Sequence, residues 1–263
     1  SYLQMNIEEL INLENKNDVL AQGIQELETL IEDLDMDENQ IKENGEIPKY
    51  RAIYLDSLKQ EKYKNLIQTN NSFQTLINNF HNFKNEEINL EEKEMRILRP
   101  YQKNGVKWLY NIYKTGFGGI LADEMGLGKS IQLIYLIKLI IKENKDAKIL
   151  IVAPTSLIYN WEKEFDTFGK ELKYKVFADN KTQRENELEN IKVNIMITSY
   201  GLIRNDIEKY QKLNFDLIAI DEAQNIKNTN AGVSKTIKSL KSNTKIALTG
   251  TPIENSVLEL WSI

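Results

Sequence analysis

Six apolar runs of strand length fall after residue 100, each followed by polar residues and then by an amphipathic stretch of helical spacing. They are Gly119 to Ala122, Lys148 to Ala153, Lys175 to Ala178, Ile195 to Thr198, Leu217 to Ile220 and Ile246 to Thr249. A strand that faces water on one side alternates apolar and polar residues; these runs are continuous, so both of their faces must be covered. The arrangement predicts an α/β domain, a parallel sheet with helices on both faces. In such open sheets ligands gather beyond the carboxyl ends of the strands, which directs attention to the residue after each run.

Three of those strand ends carry chemistry. The first run is followed by Asp123-Glu124-Met125-Gly126-Leu127-Gly128-Lys129-Ser130 and a helix expected over Ile131 to Lys142. A glycine-rich turn at a helix start offers bare backbone N–H groups and the positive end of the helix dipole, which suits a triphosphate. Lys129 would reach the β and γ phosphates and Ser130 would set its hydroxyl on magnesium. Asp123 stands where the usual phosphate loop has its first glycine. At the second site Phe215 to Ile220 runs into Asp221-Glu222-Ala223-Gln224. Asp221 there would hold magnesium through water and Glu222 would orient or deprotonate the water that attacks ATP. At the third, Ala247-Leu248-Thr249-Gly250-Thr251-Pro252, the hydroxyls could link the γ-phosphate region to moving parts, while a Gly-Pro turn capping the next helix explains the same residues equally well.

Composition narrows the metal and the setting. The chain has 263 residues with no cysteine and a single histidine, His81. Disulfides, thiolate zinc sites and histidine metal clusters are thereby excluded, and an oxygen-bound metal, Mg2+, is expected. No apolar run is long enough to span a bilayer, so no membrane association is expected and the reading is cytoplasmic. The net charge of −5 is uneven: residues 1–90 carry −9 and residues 91–263 carry +4, a balance that permits nucleic-acid binding in the second part.

The first 90 residues read as a separate, mainly helical and acidic segment. Ile7 to Leu34 has apolar residues at helical spacing, and Phe73, Leu76, Ile77, Phe80 and Phe83 predict a second amphipathic helix. Tyr50, Ile53, Tyr54 and Leu58 would line a short strand or helix, and the charged stretch Asn85 to Met95 is expected to be the domain boundary.

Taken in order, the motifs resemble the Swi/Snf-type branch of superfamily two helicase-like ATPases. The resemblance runs from about Leu98 to Ile263 and rests on LRPYQ at 98–102, GGILADEMGLGKS at 118–130 and LIVAPTSLIYNWEKEF at 150–165. It continues through ITSYGLIRND at 197–206, IAIDEAQNIKN at 218–228 and ALTGTPIENSVLELW at 247–261. It also accounts for Asp123, because DEMGLGK is the form this branch uses. It implies a RecA-like lobe that binds ATP and Mg2+ and, together with a second RecA-like lobe of the same longer chain, moves along double-stranded DNA. Gln102 would read the adenine edge, with Met125 to Ser130 around the phosphates, and Gln224, where many relatives have His, would join Thr249, Gly250 and Thr251 in coupling nucleotide state to movement. Thr155, Ser156, Asn160, Ser199, Tyr200 and Asn255 would face the DNA backbone.

Trp161 shares a helix face with Leu157, Ile158 and Phe165 and is assigned to the core. Residues 1–90 resemble the end of a helicase-associated region of bacterial members, through Pro48-Lys49-Tyr50-Arg51. The resemblance further implies a first lobe without its second, weak in hydrolysis by itself, from a monomeric, nucleoid-associated protein. A P-loop phosphotransferase and a nucleotide-gated interaction module without turnover are the alternatives.

Overall fold

The structure, a computed structural model, describes residues 2–4, 25, 29–30, 46–48, 52–64, 67–82, 96–224 and 231–250. The chain divides into two compact units, Ser1–Glu86 and Glu87–Ile263. In the first, β1 (Tyr2–Gln4) pairs antiparallel with β2 (Glu46–Pro48), and α1 (Ala52–Glu61) and α2 (Asn71–Asn82) follow. The strand pair is an addition to the helical expectation, since three-residue strands are too short to leave a period in the sequence. Of the two forms expected around Tyr50 to Leu58 the described residues take the helix, Ala52–Glu61, and its buried face is Ala52, Leu55 and Leu58, with Tyr54 turned outward. These pack with Leu30, Tyr63, Ile67, Phe73 and Ile77 into one small core. Most of the helix expected over 7–34, and the link over 85–95, lie outside the described residues.

The second unit is the α/β domain. In chain order it comprises α3 (Pro100–Thr115), β3 (Gly119–Leu121), α4 (Lys129–Glu143), β4 (Ile149–Ala153), α5 (Ile158–Phe168) and β5 (Tyr174–Val176). It continues with α6 (Lys181–Glu189), β6 (Ile195–Ser199), α7 (Tyr200–Asn205), α8 (Ile207–Tyr210), β7 (Phe215–Ile220), α9 (Ala231–Ser239) and β8 (Ser242–Leu248). Among the described residues the six strands form one sheet in the order β3-β8-β7-β4-β6-β5, with every pairing parallel.

Both faces of this sheet are buried, as the continuous runs require. Along β4, Ile149, Ile151 and Ala153 face one core with α4 and α5, while Leu150 and Val152 face the other with α6 to α9. The central helix α4 is apolar nearly all round, buried from Ile131 to Ile137 and again at Leu139 and Ile140. A helix of that kind has to be enclosed, and this one packs on the sheet between α3 and α5. Each Leu or Ile so buried stabilises by about 1.5–3 kcal/mol, so the start of α4, where Lys129 and Ser130 sit, rests on a firm base.

Strand order then assembles the site. The last two strands, β7 and β8, insert between β3 and β4. Leu121 pairs with Leu248 and Ile220 with Ala247, so three chemically loaded strand ends, distant in sequence, lie side by side.

Candidate nucleotide-binding site

The phosphate loop leaves β3 and enters α4 through Gly128, whose φ of 78° follows a φ of 83° at Gly126. Both values lie in the left-handed region, where a side chain costs about 1–2 kcal/mol. A Cβ at Gly128 would also fall 2.6 Å from Gln102 Nε2 and 2.8 Å from Ile131 Cγ2. Gly128→Ala is therefore expected to lose about 1–2 kcal/mol in denaturant unfolding; an unchanged midpoint would mean that the loop readily takes another path.

Lys129 Nζ donates to the carbonyls of Asp123 (2.8 Å) and Glu124 (3.2 Å). Leu127 O accepts from Tyr101 Oη and from Gln102 Nε2, each at 3.1 Å. Gln102 is buried, and its Oε1 accepts the Arg99 N–H at 2.9 Å, so both ends of its amide are engaged in tying the start of α3 to the loop. Asp123, the residue in place of glycine, has its carboxylate held by Gln132 Nε2 at 2.8 Å. Met125 is exposed, and its side chain lies over Gly250, where an added Cβ would meet it at 3.0 Å.

The acidic pair stands beside this loop. Asp221 continues β7, its N–H donating to Val152 O at 2.8 Å. Its Oδ1 accepts the Glu222 N–H at 2.9 Å and its Oδ2 accepts the Trp161 indole N–H, also at 2.9 Å. Burial pushes the Asp221 carboxyl above the ordinary carboxylate value, with the Trp161 bond and the nearby Lys129 ammonium pulling the other way. Tyr200 donates its hydroxyl to the Asp221 carbonyl. Burial first, then the charges of Asp221 and Glu222, push that phenol well above its usual range.

Glu222 has a φ of 48°, the one non-glycine residue with positive φ among those described. Such geometry is rare outside glycine and collects at functional turns. Here the Ala223 N–H, bonded to Leu248 O at 3.0 Å, helps to hold it. From Glu222 a chain of bonds leads to β8: Gln224 Nε2 donates to Glu222 Oε2, and Thr249 Oγ1 donates to Gln224 Oε1 at 2.6 Å. The Thr249 N–H in turn bonds Leu121 O at 3.1 Å, which closes the circuit at the base of the phosphate loop.

Thr155, Ser156 and Asn160 are exposed in the turn after β4 and at the start of α5. Ser199 is employed otherwise than expected. It is 2% exposed, and its Oγ caps α7 by accepting the Leu202 N–H, so it does not stand open on the surface as the first three do. Tyr200 is spent largely on Asp221. Thr251 and Asn255 lie outside the described residues. Trp161 is in the core as its spacing predicts, 2% exposed with Ile158 and Phe165, but its bond to Asp221 is something that periodicity could not reveal. Tyr101 and Gln132 were likewise missed, although adjacency to Gln102 and to the phosphate loop is a signal for both.

Residues 101–263 match the model of the SNF2-related domain, and residues 2–91 match that of the bacterial SNF2 helicase-associated domain. An uncharacterized ATP-dependent helicase of Mycoplasma pneumoniae is 42% identical over 177 residues, which is 67% of this chain and 17% of that protein. The chain thus spans about a sixth of the length of that relative. The Sulfolobus solfataricus SWI2/SNF2 ATPase core in complex with dsDNA is 42% identical with a TM-score of 0.56, covering 63% of this chain and 34% of that one. The core domain of the same ATPase, in a separate structure, is 40% identical with a TM-score of 0.57 over 68% of this chain and 35% of the other. By its strand order, its bonded strand-end motifs and these matches, the chain belongs to the SNF2-related domain family, with its second unit in the RecA-like fold.

Proposed function

We propose that residues 91–263 are the ATP-binding lobe of an ATP-dependent double-stranded DNA translocase, acting with a second RecA-like lobe of the same full-length chain. The observation that carries this reading is the circuit of hydrogen bonds that joins the phosphate loop, Asp221 to Gln224 and Thr249 at the carboxyl ends of β3, β7 and β8. Phosphoryl transfer to water needs little covalent help from a protein, only positioning and charge, and these residues supply both.

Each takes one role. Backbone N–H groups from Met125 to Gly128 meet the phosphates, and the Lys129 ammonium exchanges loop carbonyls for β and γ oxygens. Gln102 must release its bond to Leu127 O if it is to read adenine. Glu222 orients or deprotonates the attacking water, and Gln224, Thr249, Gly250 and Thr251 relay nucleotide state to the rest of the motor.

Magnesium suits the donors present. Among the described residues each Asp221 carboxylate oxygen accepts one N–H, so lone pairs remain, and Ser130 offers a hydroxyl at the start of α4. Among the described residues no three His, Asp or Glu gather as a metal cage. When bound, the ion would neutralise charge on the phosphates.

Exposed Thr155, Ser156 and Asn160 fit contact with DNA phosphates, which neutral donors can make as well as lysines; Asn255 is proposed for the same surface, and Ser199 and Tyr200 support it from beneath. Residues 1–90 are assigned a scaffold role. No helix among the described residues is long and apolar enough to cross a membrane, and a monomeric protein at work on the nucleoid in the cytoplasm completes the proposal.

ATP turnover of the full-length protein, measured with and without duplex DNA, tests it. Duplex is expected to stimulate turnover, and Lys129→Ala to abolish it. Absence of stimulation defeats the translocase; phosphate appearing on a small acceptor supports a phosphotransferase, and binding without turnover supports an interaction module.

A further inference from the structure

Two aromatic side chains, delivered by different strand ends, meet at Asp221. Trp161 comes from α5, after β4, and Tyr200 opens α7, after β6. Between them and the backbone, every polar atom of Asp221 is engaged: its N–H on Val152 O, its carbonyl by Tyr200, its Oδ1 by the Glu222 N–H and its Oδ2 by Trp161.

Packing alone does not explain this choice of residues. The Trp161 ring is buried beside Phe165, with centroids 6.1 Å apart, and a phenylalanine or leucine would serve such a core without a polar atom. A buried indole N–H needs an acceptor, and the fold gives it a carboxylate that is itself costly to bury. Tyr200 repeats the pattern with a hydroxyl aimed at the same residue. We propose that Trp161 and Tyr200 are positioning residues for Asp221, fixing the carboxylate from its side chain and its backbone so that it meets the metal-nucleotide without reorganising. A bond that is already made need not be formed when the ligand arrives, and the cost of ordering falls accordingly.

The inference rests on Asp221 being a metal ligand, and its test separates the two ideas. Binding of fluorescent N-methylanthraniloyl-ADP to the full-length protein is titrated with Mg2+ and, separately, measured in EDTA. Trp161→Phe keeps an aromatic ring and removes the donor. It should raise the half-saturating Mg2+ concentration about tenfold, the equivalent of one charge-assisted hydrogen bond. Tyr200→Phe, which removes only the hydroxyl, should raise it a few-fold. Nucleotide affinity in EDTA should stay at the wild-type value in both. A purely structural role would lower the melting temperature and leave the Mg2+ midpoint in place. Wild-type midpoints in both variants overturn the proposal, and if Trp161→Phe fails to fold, Tyr200→Phe decides by the same readout. If wild-type nucleotide binding is indifferent to Mg2+, Asp221 is not a metal ligand and the inference falls with that reading, while the nucleotide site itself stands.

Discussion

Glu222→Gln is expected to lower duplex-stimulated ATP turnover by about 10²–10⁴-fold while Mg-nucleotide binding persists. The substitution keeps shape and removes the basic oxygen. The carboxylate is held at the end of β7 by an unusual backbone, with φ of 48°, and by the Gln224 amide, which donates to Oε2. That donor occupies Oε2, and Oε1 is the oxygen proposed to act on the water. In the proposed site, binding rests on the loop amides, Lys129, Ser130 and Asp221, none of which changes. Single-turnover hydrolysis, run beside nucleotide binding, separates the two effects. Turnover within tenfold of wild type would show that Glu222 does not act on the water; lost binding would make it a structural member of the site.

Much of this site was legible in the sequence because its chemistry is concentrated at strand ends. The runs at 148–153 and 217–220 have no polar interruption, and they became β4 and β7 to within two residues. The loop of two glycines followed by Lys129 needs no tertiary knowledge, since positive φ and helix entry are local properties. The run at 246–249 captured only the end of β8, which begins at Ser242. Its first half, Ser242-Asn243-Thr244-Lys245, is polar and is strand because Phe215 to Ile218 already present a ladder for it. Tertiary pairing overrode composition there.

What could not be read are the long-range bonds between side chains. Trp161 and Asp221 are 60 positions apart. Helical spacing reports which face of α5 is inward, not what the indole N–H finds there. Likewise Ser199 and Tyr200 follow β6 in a motif that the resemblance directed toward DNA, yet the register of β6 beside β4 turns one hydroxyl to a helix cap and the other to the acidic pair. Neither outcome is encoded in the local pattern.

The same blindness applies to an ion pair that the sequence gives no reason to suspect, and there the expected effect on stability is large. Arg184, in the polar helix α6, places Nε 2.7 Å and Nη2 3.2 Å from the two carboxylate oxygens of Asp206 at the α7–α8 junction, and Nη1 donates to Asp179 O. The side chains are 6% and 1% exposed, and the hydrogen bond to Asp206 leads in holding the guanidinium charged. A fork bonded on both prongs in so dry a setting differs from the surface pairs of the same unit, such as Lys181 with Glu185 at 72% and 40% exposure, which are worth a fraction of a kcal/mol. Arg184→Ala strands the Asp206 charge away from water. It is expected to destabilise the unit by about 3–5 kcal/mol, a fall in melting temperature on the order of 10 °C for a domain of this size. Replacing both partners with apolar residues of similar volume removes the stranded charge and should recover most of that loss. Chemical denaturation of the two single variants and the double variant measures the coupling directly. A small loss in either single variant, or losses that merely add in the double, would mean that water reaches Asp206 and that the pair does not fix α6 to the helices after β6.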